Sequence, residues 1–232
     1  MDRFSLEDIK EGQVLLFDKP LHRTSFQVVN KVRWLIKQKF ELKKIKVGHA
    51  GTLDPLATGL VILCTGKATK TIESLMGQTK VYTGEFTLGA TTPSYDLETE
   101  IDESFAISHI TQELIDQSLA QFQGEIMQRP PIFSALKKEG KRLYEFARKG
   151  EEVDIPKRKV HIDHFEILEN NLPKLKFKVR CSKGTYIRSL AYDFGKALDS
   201  GAYLSELRRT QIGDYRVEDA LTIDEFENLL KA

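Results

Sequence analysis

Alternation of apolar and polar residues predicts strands in several parts of the chain. The segment 174–181 alternates without a break, placing Leu, Phe, Val and Cys on one face and three Lys and one Arg on the other. Segment 81–88 also alternates, with Tyr82 on its apolar face and Glu85 on its polar face. Segment 13–18 has a continuous apolar run and is predicted to be a buried strand. We therefore predict three strands, of which 81–88 and 174–181 bury one face.

Apolar residues at helical spacing predict helices between the strands. The predicted helices are 25–40, 111–122, 143–147 and 186–198. Ser25 is the predicted N-cap of the first, and Thr222 with Glu225 fits a capping box before a final helix. Strands and helices are interspersed without a regular βαβ rhythm, which predicts an α+β fold.

Composition restricts the class of protein. The chain has 232 residues, of which 41% are hydrophobic and 30% charged, so it can bury a core. It has no apolar run near the roughly 18 residues of a membrane span and no signal-peptide core, so we expect a cytoplasmic protein. Cys64 and Cys181 lie in apolar runs and are predicted to be buried thiols. The five histidines lack ligand spacing, so no metal is expected.

Charge is unevenly distributed although the net charge is only +1. Residues 17–46 contain nine basic and two acidic residues, and 129–160 contain ten basic and five acidic. Residues 173–190 contain six basic residues and no acid, whereas 94–125 contain eight acids and no Lys or Arg. Such segregation suits a polyanion bound on one face. The solvated faces of ordinary helices and strands would explain it equally well.

The segment 47–60 contains the most informative feature, which is a single carboxylate in an irregular loop. Asp54 lies among Gly48, Gly51 and Gly59 and is followed by a proline that disfavours helix at the position before it. A carboxylate in a stiff loop beside the apolar run 60–64 indicates a functional position. The alternative is that Asp54 only caps a turn through its own side chain.

The segment 47–60 resembles the GHxGTLDP-type loop of the TruB family of tRNA pseudouridine synthases, in which the aspartate is the nucleophile. His22 stands where the family usually has glycine, and this departure touches a structural turn. The resemblance covers about residues 12–220. Other stretches resemble further motifs in the family's order: 19–25, 66–82, 131–148, 181–188 and 207–210.

The resemblance implies a fold, a reaction and a set of partners. It implies a mostly antiparallel, mixed central β-sheet flanked by helices, with Asp54 at the floor of an RNA-binding cleft. The reaction would convert uridine 55 in the T arm of tRNA to pseudouridine without cofactor or metal. We expect one catalytic domain over residues 1–232 without the C-terminal PUA domain of many bacterial members, acting as a monomer without a guide RNA.

By the same resemblance, two residues form the catalytic pair. A carboxylate can act as a covalent nucleophile, and Asp54 is the candidate. Arg188 would be its bidentate partner, which would keep the carboxylate ionised in a dry pocket. The alternative for Arg188 is a phosphate contact. Lys19 and Lys70 would support the loop or bind phosphate.

Four residues resemble those that bind the target nucleotide. Tyr82 would stack on the flipped uracil, an interaction that typically contributes about 1–3 kcal/mol, and Leu207 would close the uracil pocket. Tyr186 would bond Asp54 or transfer a proton, and His49 would contact the flipped RNA. Each could instead be an ordinary structural residue.

Two other functions remain open from the residues. One is an RNA-folding chaperone that opens and releases the T arm, for which Asp54 would not be needed; the resemblance allows both roles in one protein. The other is an aspartate-dependent hydrolase such as a glycosidase, which would need a second carboxylate near Asp54.

Overall fold

The computed structural model describes residues 4–138, 140–151 and 153–231. Its α-helices are α1 (Leu6–Glu11), α2 (Ser25–Lys39), α3 (Ile72–Gly77), α4 (Gln112–Ala120), α5 (Leu143–Ala147), α6 (Ile187–Ala197) and α7 (Ile223–Lys231). Its strands are β1 (Val14–Lys19), β2 (Val47–His49), β3 (Ala57–Thr65), β4 (Lys80–Leu88), β5 (Ala90–Thr91), β6 (Glu103–Ser104), β7 (Gly124–Gln128), β8 (Lys137–Lys138), β9 (Lys141–Arg142), β10 (Arg158–Asn171), β11 (Lys174–Cys181), β12 (Ala202–Ile212) and β13 (Tyr215–Arg216). Short 3₁₀ helices occupy Gly66–Thr71 and Val217–Asp219.

The chain divides into two units. The first unit contains the residues up to Tyr82 and those from Leu207 onward, and the second contains 83–206. The divisions fall within β4 and β12, so each unit includes part of both strands.

The first unit is built on β3. Strand β1 pairs with β3 in antiparallel fashion, with Leu16 opposite Ile62, and β12 pairs with β3 in parallel, with Leu207 opposite Ala57. Strand β2 is also antiparallel to β3, and β13 is antiparallel to β12. Residues 60–65 are fully buried because the strand has neighbours on both edges. Its apolar side chains form a core with those of α3 and of β12.

In the second unit, the strand pairs β10–β11 and β10–β7 are antiparallel. Strand β11 lies between β4 and β10, and β10 also pairs with β7. A cluster of aromatic rings fills its core, since Phe86 stacks on Phe177 at 4.1 Å and Phe165 packs edge-on against Phe194 at 5.5 Å. Parallel and antiparallel pairs therefore both occur, and the predicted mixed α+β fold is confirmed.

The local predictions held except at two positions. The strand at 174–181 has the predicted bounds and alternation, and both cysteines are buried free thiols. The predicted N-cap Ser25 is wrong, because Thr24 caps α2 and forms a capping box with Gln27. The hydroxyl of Ser25 is used elsewhere, since it accepts the N–H of Leu53 at 2.9 Å.

The second difference lies in β4, where Glu85 was expected on the polar face of the strand. Its side chain is buried, and it accepts hydrogen bonds from the Lys174 ammonium at 2.8 Å and the Ser205 hydroxyl at 2.9 Å. Burial alone would raise the pKa of this carboxyl, but the hydrogen bonds outweigh it and lower the pKa. Glu85 is therefore a buried carboxylate whose partner, the Lys174 ammonium, is exposed.

Candidate active site

The loop that carries Asp54 connects β2 to β3, and neighbouring backbone and side-chain groups fix it. Ser25 Oγ accepts the N–H of Leu53 at 2.9 Å, and its hydroxyl lies 3.3 Å from the Leu53 carbonyl. The His22 N–H donates to the Pro55 carbonyl at 2.8 Å, and the Ala57 N–H donates to the Asp54 carbonyl at 3.1 Å. The backbone on both sides of Asp54 is thus held by hydrogen bonds.

A buried guanidinium completes the loop. Arg209 is 1% exposed and donates to the carbonyls of Leu60 at 2.8 Å, Gly51 at 3.1 Å and Thr52 at 3.4 Å. Gly59 lies opposite Arg209 in the strand pair and has a φ of +103°. A Cβ there would lie 2.3 Å from the Arg209 carbonyl oxygen, so only glycine permits this close approach.

A second buried cation lies near Asp54. Lys19 is fully buried, and its ammonium donates to the carbonyls of Arg23 at 2.7 Å and Pro20 at 3.0 Å. Burial lowers its pKa to about 8, the charge of Arg209 acts in the same direction, and the carboxylate of Asp54 opposes the shift. Lys19 therefore contributes positive charge to the surroundings of Asp54 while holding the turn after β1.

Three more predicted site residues lie in the first unit. His49 is on β2, and burial lowers the pKa of its ring although a hydrogen bond with the Gly51 backbone acts in the opposite direction. Leu207 lies opposite Ala57 and is partly exposed. Tyr82 is on β4 and is 9% exposed. The first unit thus places His49 at the end of the strand that leads into the Asp54 loop, and Leu207 on β12 opposite the first residue of the strand that follows the loop.

Arg188 lies in the second unit, in the first turn of α6. It is 4% exposed; its Nε lies 3.6 Å from Asp96 Oδ2, and its Nη1 donates to the Phe133 carbonyl at 2.9 Å and lies 3.4 Å from the Ser94 carbonyl. Sequence reasoning missed Asp96. It is the first acid of the acid-rich segment 94–125, but nothing in the segment distinguished it from the other acids.

A strained turn presents Asp96 to Arg188. Tyr95 has a φ of +64°, which is uncommon for a bulky residue. Its ring stacks on Tyr192 at 4.1 Å, and the Thr92 hydroxyl donates to the Asp96 carbonyl at 2.7 Å. Burial raises the pKa of the Tyr95 hydroxyl to about 12, so the ring stays neutral in the stack.

Tyr186 precedes Arg188 and is the N-cap residue of α6. The guanidinium of Arg158 lies over its ring, 4.9 Å from the centroid. Its N–H donates to the side-chain oxygen of Gln128 at 2.8 Å, and its carbonyl accepts from the Gln128 amide nitrogen at 3.0 Å. Tyr186 and Arg188 therefore lie in the same unit, two residues apart at the start of α6.

The first unit also has a strongly basic cavity of about 790 Å³. Its basic lining residues are Lys10, Arg33, Lys37, Lys43, Lys44, Lys46, Lys67 and Lys70. Within the described part of the chain, Lys67 is the one among them with a carboxylate oxygen within 4.0 Å, that of Glu11 at 2.8 Å. We call this feature the basic cavity.

The exposed lysines of β11 differ from those of the basic cavity. Each has a carboxylate partner on a neighbouring strand: Lys174 with Glu85 at 2.8 Å, Lys176 with Glu169 at 2.9 Å, and Lys178 with Glu166 at 3.9 Å. In the sequence, segments 17–46 and 173–190, which include most of the cavity's basic residues and the β11 lysines, both suited a bound polyanion. The ion pairs favour the basic cavity over β11 for that role.

The described residues contain neither a membrane-spanning helix nor a metal-binding cluster of side chains. None of the helices within 4–138, 140–151 and 153–231 is long and apolar enough to cross a membrane. In the same residues, no group of three or more His, Cys, Asp or Glu side chains is arranged to hold a metal ion.

Comparison with known proteins identifies the class. Residues 37–187 match a family model described as "TruB family pseudouridylate synthase (N terminal domain)", and residues 188–232 match "tRNA pseudouridylate synthase B C-terminal domain". A protein named tRNA pseudouridine synthase B from Flavobacterium johnsoniae is 61% identical over 97% of this chain and 99% of its own length. One of the same name from Phocaeicola vulgatus is 57% identical over 96% of this chain and 95% of its own.

Solved structures share the fold. A chain in "Crystal Structure of a Cbf5-Nop10-Gar1 Complex" superposes with a TM-score of 0.68 at 31% identity, over 95% of this chain and 54% of that one. Another, in "Crystal structure of the archaeal box H/ACA sRNP Nop10-Cbf5 complex", has a TM-score of 0.68 at 28% identity, over 98% and 56%. This chain thus spans about half the length of those proteins.

These matches define a pseudouridine synthase. More narrowly, the chain belongs to the TruB family, as its motifs predicted. It is an isomerase that converts uridine in tRNA to pseudouridine. The predicted fold and reaction are confirmed at this level, and the glycosidase alternative is wrong. The roles of individual residues are not tested by the matches and stay predictions.

Proposed function

We propose that Asp54 is the nucleophile that isomerises uridine 55 in the T arm of tRNA. The observation that carries this proposal is the loop itself, whose only carboxylate lies between backbone segments held by Ser25 and by the buried Arg209. A reacting group benefits from such fixed placement because little reorganisation is left for the transition state. The T arm and the position within it come from the resemblance to the TruB motifs.

The reaction needs one bond broken and another made on the same base. The N1–C1′ glycosidic bond breaks, the uracil turns over, and a C5–C1′ bond forms while the hydrogen on C5 leaves as a proton and N1 takes up a proton. Asp54 would attack either C1′ of the ribose or C6 of the base, and it would be released at the end. No electrons are gained or lost, so the residues require no redox cofactor.

The remaining candidates have supporting roles. Arg188 would stabilise the ionised Asp54 carboxylate, and Tyr82 would stack on the flipped base. Tyr186 would bond Asp54 or accept a proton. His49 would contact the flipped nucleotide, and Leu207 would cover the uracil.

The test uses a tRNA transcript labelled with tritium at C5 of uridine. Forming the C5–C1′ bond must expel that tritium, so wild type should release it and Asp54→Asn should release none. Asp214→Asn is the matched control, because Asp214 is exposed in the turn between β12 and β13 and should leave release unchanged. Full activity of Asp54→Asn would refute the proposal that Asp54 is the nucleophile. Pseudouridine mapped outside the T loop would refute uridine 55 as the target.

The same assay tests the proposed partners. We propose that the protein acts in the cytoplasm as a monomer and without a guide RNA. The solved chain of the Nop10-Cbf5 complex, by contrast, is part of an archaeal box H/ACA sRNP. Release from the bare transcript by the purified protein, at a mass near 26.5 kDa, is the expected result. A requirement for added RNA would contradict it. If tRNA folding is also assisted, Asp54→Asn should retain that activity.

We further propose that the basic cavity binds tRNA phosphates. Lys43→Ala/Lys44→Ala should weaken tRNA binding and reduce its salt dependence by about one unit of log–log slope per lost phosphate contact. Lys176→Ala/Lys178→Ala removes the same charge from β11 and should change binding less. Equal losses in both variants would show that net charge, and not the basic cavity, governs binding.

A further inference from the structure

We propose that Gln128 is a positioning residue for Tyr186. Gln128 is the last residue of β7 and is 1% exposed, although its side chain is a polar amide. A buried amide is unfavourable unless both of its ends are hydrogen-bonded. Both ends of this one bond the same residue, Tyr186.

The two hydrogen bonds fix the backbone of Tyr186 on both sides of its Cα. The N–H belongs to the preceding peptide plane and the C=O to the following one, so holding both fixes φ and ψ. The backbone observed there, φ −100° and ψ 114°, is extended and lies immediately before α6. The direction of the Cα–Cβ bond follows from the backbone. The amide of Gln128 therefore determines the direction in which the Tyr186 side chain leaves the backbone.

The strand pairing adds a second contact to the same ring. Gln128 lies opposite Arg158 in the β7–β10 register. The guanidinium of Arg158 lies over the Tyr186 ring and also donates to the Gly184 carbonyl. One cross-strand pair therefore controls both the backbone and the ring of Tyr186.

Glutamine is the side chain that meets this requirement. It offers one donor and one acceptor at the reach observed, whereas glutamate at neutral pH offers acceptors only and asparagine is one methylene shorter. Protonated glutamic acid, however, has the shape of glutamine and regains the donor. This difference supplies a test that a general loss of packing would not reproduce.

The effect on catalysis rests on the proposed function, in which Tyr186 acts beside the target uridine. Gln128→Ala should lower kcat about tenfold, the effect expected from about one buried hydrogen bond, and should change KM less. In a Tyr186→Ala background the same substitution should have almost no further effect, because the residue it positions is gone. A full additional loss in that background would overturn the inference.

The pH profile of Gln128→Glu is the sharper experiment. Its kcat relative to wild type should rise several-fold from pH 8 to pH 5.5, as the buried carboxyl becomes protonated and donates to the Tyr186 carbonyl again. Gln128→Ala should show no such rise. Gln121→Glu, at an exposed position just after α4, should match wild type throughout. A flat profile for Gln128→Glu would refute the role of the donor.

Hydrogen exchange separates this inference from the proposed function, since it needs no activity. The Tyr186 amide should exchange at least about tenfold faster in Gln128→Ala than in wild type, and at the wild-type rate in Gln121→Glu. Unchanged exchange in Gln128→Ala would overturn the inference even in an active enzyme. If wild type were inactive and the Tyr186 amide still exchanged faster in Gln128→Ala, the proposed function would be refuted. The contact between Gln128 and the Tyr186 backbone would nevertheless be established.

Discussion

The two buried guanidinium groups, Arg209 in the first unit and Arg188 in the second, have similar burial and different partners. Arg209 bonds three backbone carbonyls, and no carboxylate oxygen of the described residues lies within 4.0 Å of it. Arg188 has a carboxylate partner, Asp96, beside its carbonyl contacts. Their exposures are 1% and 4%.

The different partners of Arg209 and Arg188 indicate different structural roles. The guanidinium of Arg209 bonds carbonyls of the Asp54 loop and of β3, so it fixes the path of the loop that carries Asp54. A cation paired with a carboxylate has its own side chain fixed, which suits a group that must present its charge in one direction. Arg209 is thus a scaffold of the site, whereas Arg188 is a candidate member of it.

The largest effect is expected at Arg209. Arg209→Lys keeps the charge, but a single ammonium cannot satisfy carbonyls on both the Asp54 loop and β3. Unsatisfied buried carbonyls cost about 1–3 kcal/mol each, so denaturant titration should show a loss of about 4 kcal/mol in the free energy of unfolding. Tritium release should fall with it.

The neighbouring residue supplies the control for that measurement. Arg208→Lys changes the same strand, but Arg208 is partly exposed and pairs with Asp18 at 2.7 Å. Such pairs contribute up to about 1 kcal/mol. Equal losses in the two variants would remove the distinction between a buried scaffold cation and a surface one.

Lys19 should give a smaller, pH-dependent effect. Its pKa in the folded protein is about 8, below the value of about 10.4 in the unfolded chain. Between these values the unfolded state binds more protons, so the stability of wild type relative to Lys19→Met should rise with pH, by at most about 3 kcal/mol. Denaturation of both proteins at pH 7.5, 9 and 10.5 measures this.

An exposed lysine serves as the control for the pH experiment. Lys67 pairs with Glu11 at the surface, so Lys67→Met should show no comparable change in relative stability across the same pH range. A constant difference between wild type and Lys19→Met at all three pH values would contradict burial as the cause of the lowered pKa.

The sequence predicted the parts of the molecule that depend on local pattern. The strand 174–181 was found because alternation reports one buried face, and Asp54 stood out because its loop resembles a family motif. Ser25 shows where local reasoning fails. Serine is a common N-cap residue, yet the hydroxyl of Ser25 accepts the N–H of Leu53, 28 positions away. Thr24 caps the helix instead.

The supporting residues of the site lay beyond such reasoning. Arg209 bonds a carbonyl 149 positions away, Gln128 bonds Tyr186 at a separation of 58, and Asp96 meets Arg188 at a separation of 92. No periodicity or spacing connects these pairs, because strand pairing and helix packing bring them together only in the folded chain. Resemblance supplied the candidate residues of the site, and the structure supplied those that hold them.

The smallest expected effect tests the partner of Arg188. Asp96→Asn keeps the shape and one acceptor but removes the charge, so the free energy of unfolding should fall by about 2 kcal/mol, the value of a hydrogen bond to a charged group. Glu98→Gln, at an exposed position two residues on, should change it by less than about 0.5 kcal/mol. In combination with Arg188→Met, Asp96→Asn should cost less than it does alone, because the charge it served is gone. Strict additivity would mean that Asp96 stabilises the turn and not the guanidinium, and Arg188 would then resemble Arg209 in being held by carbonyls.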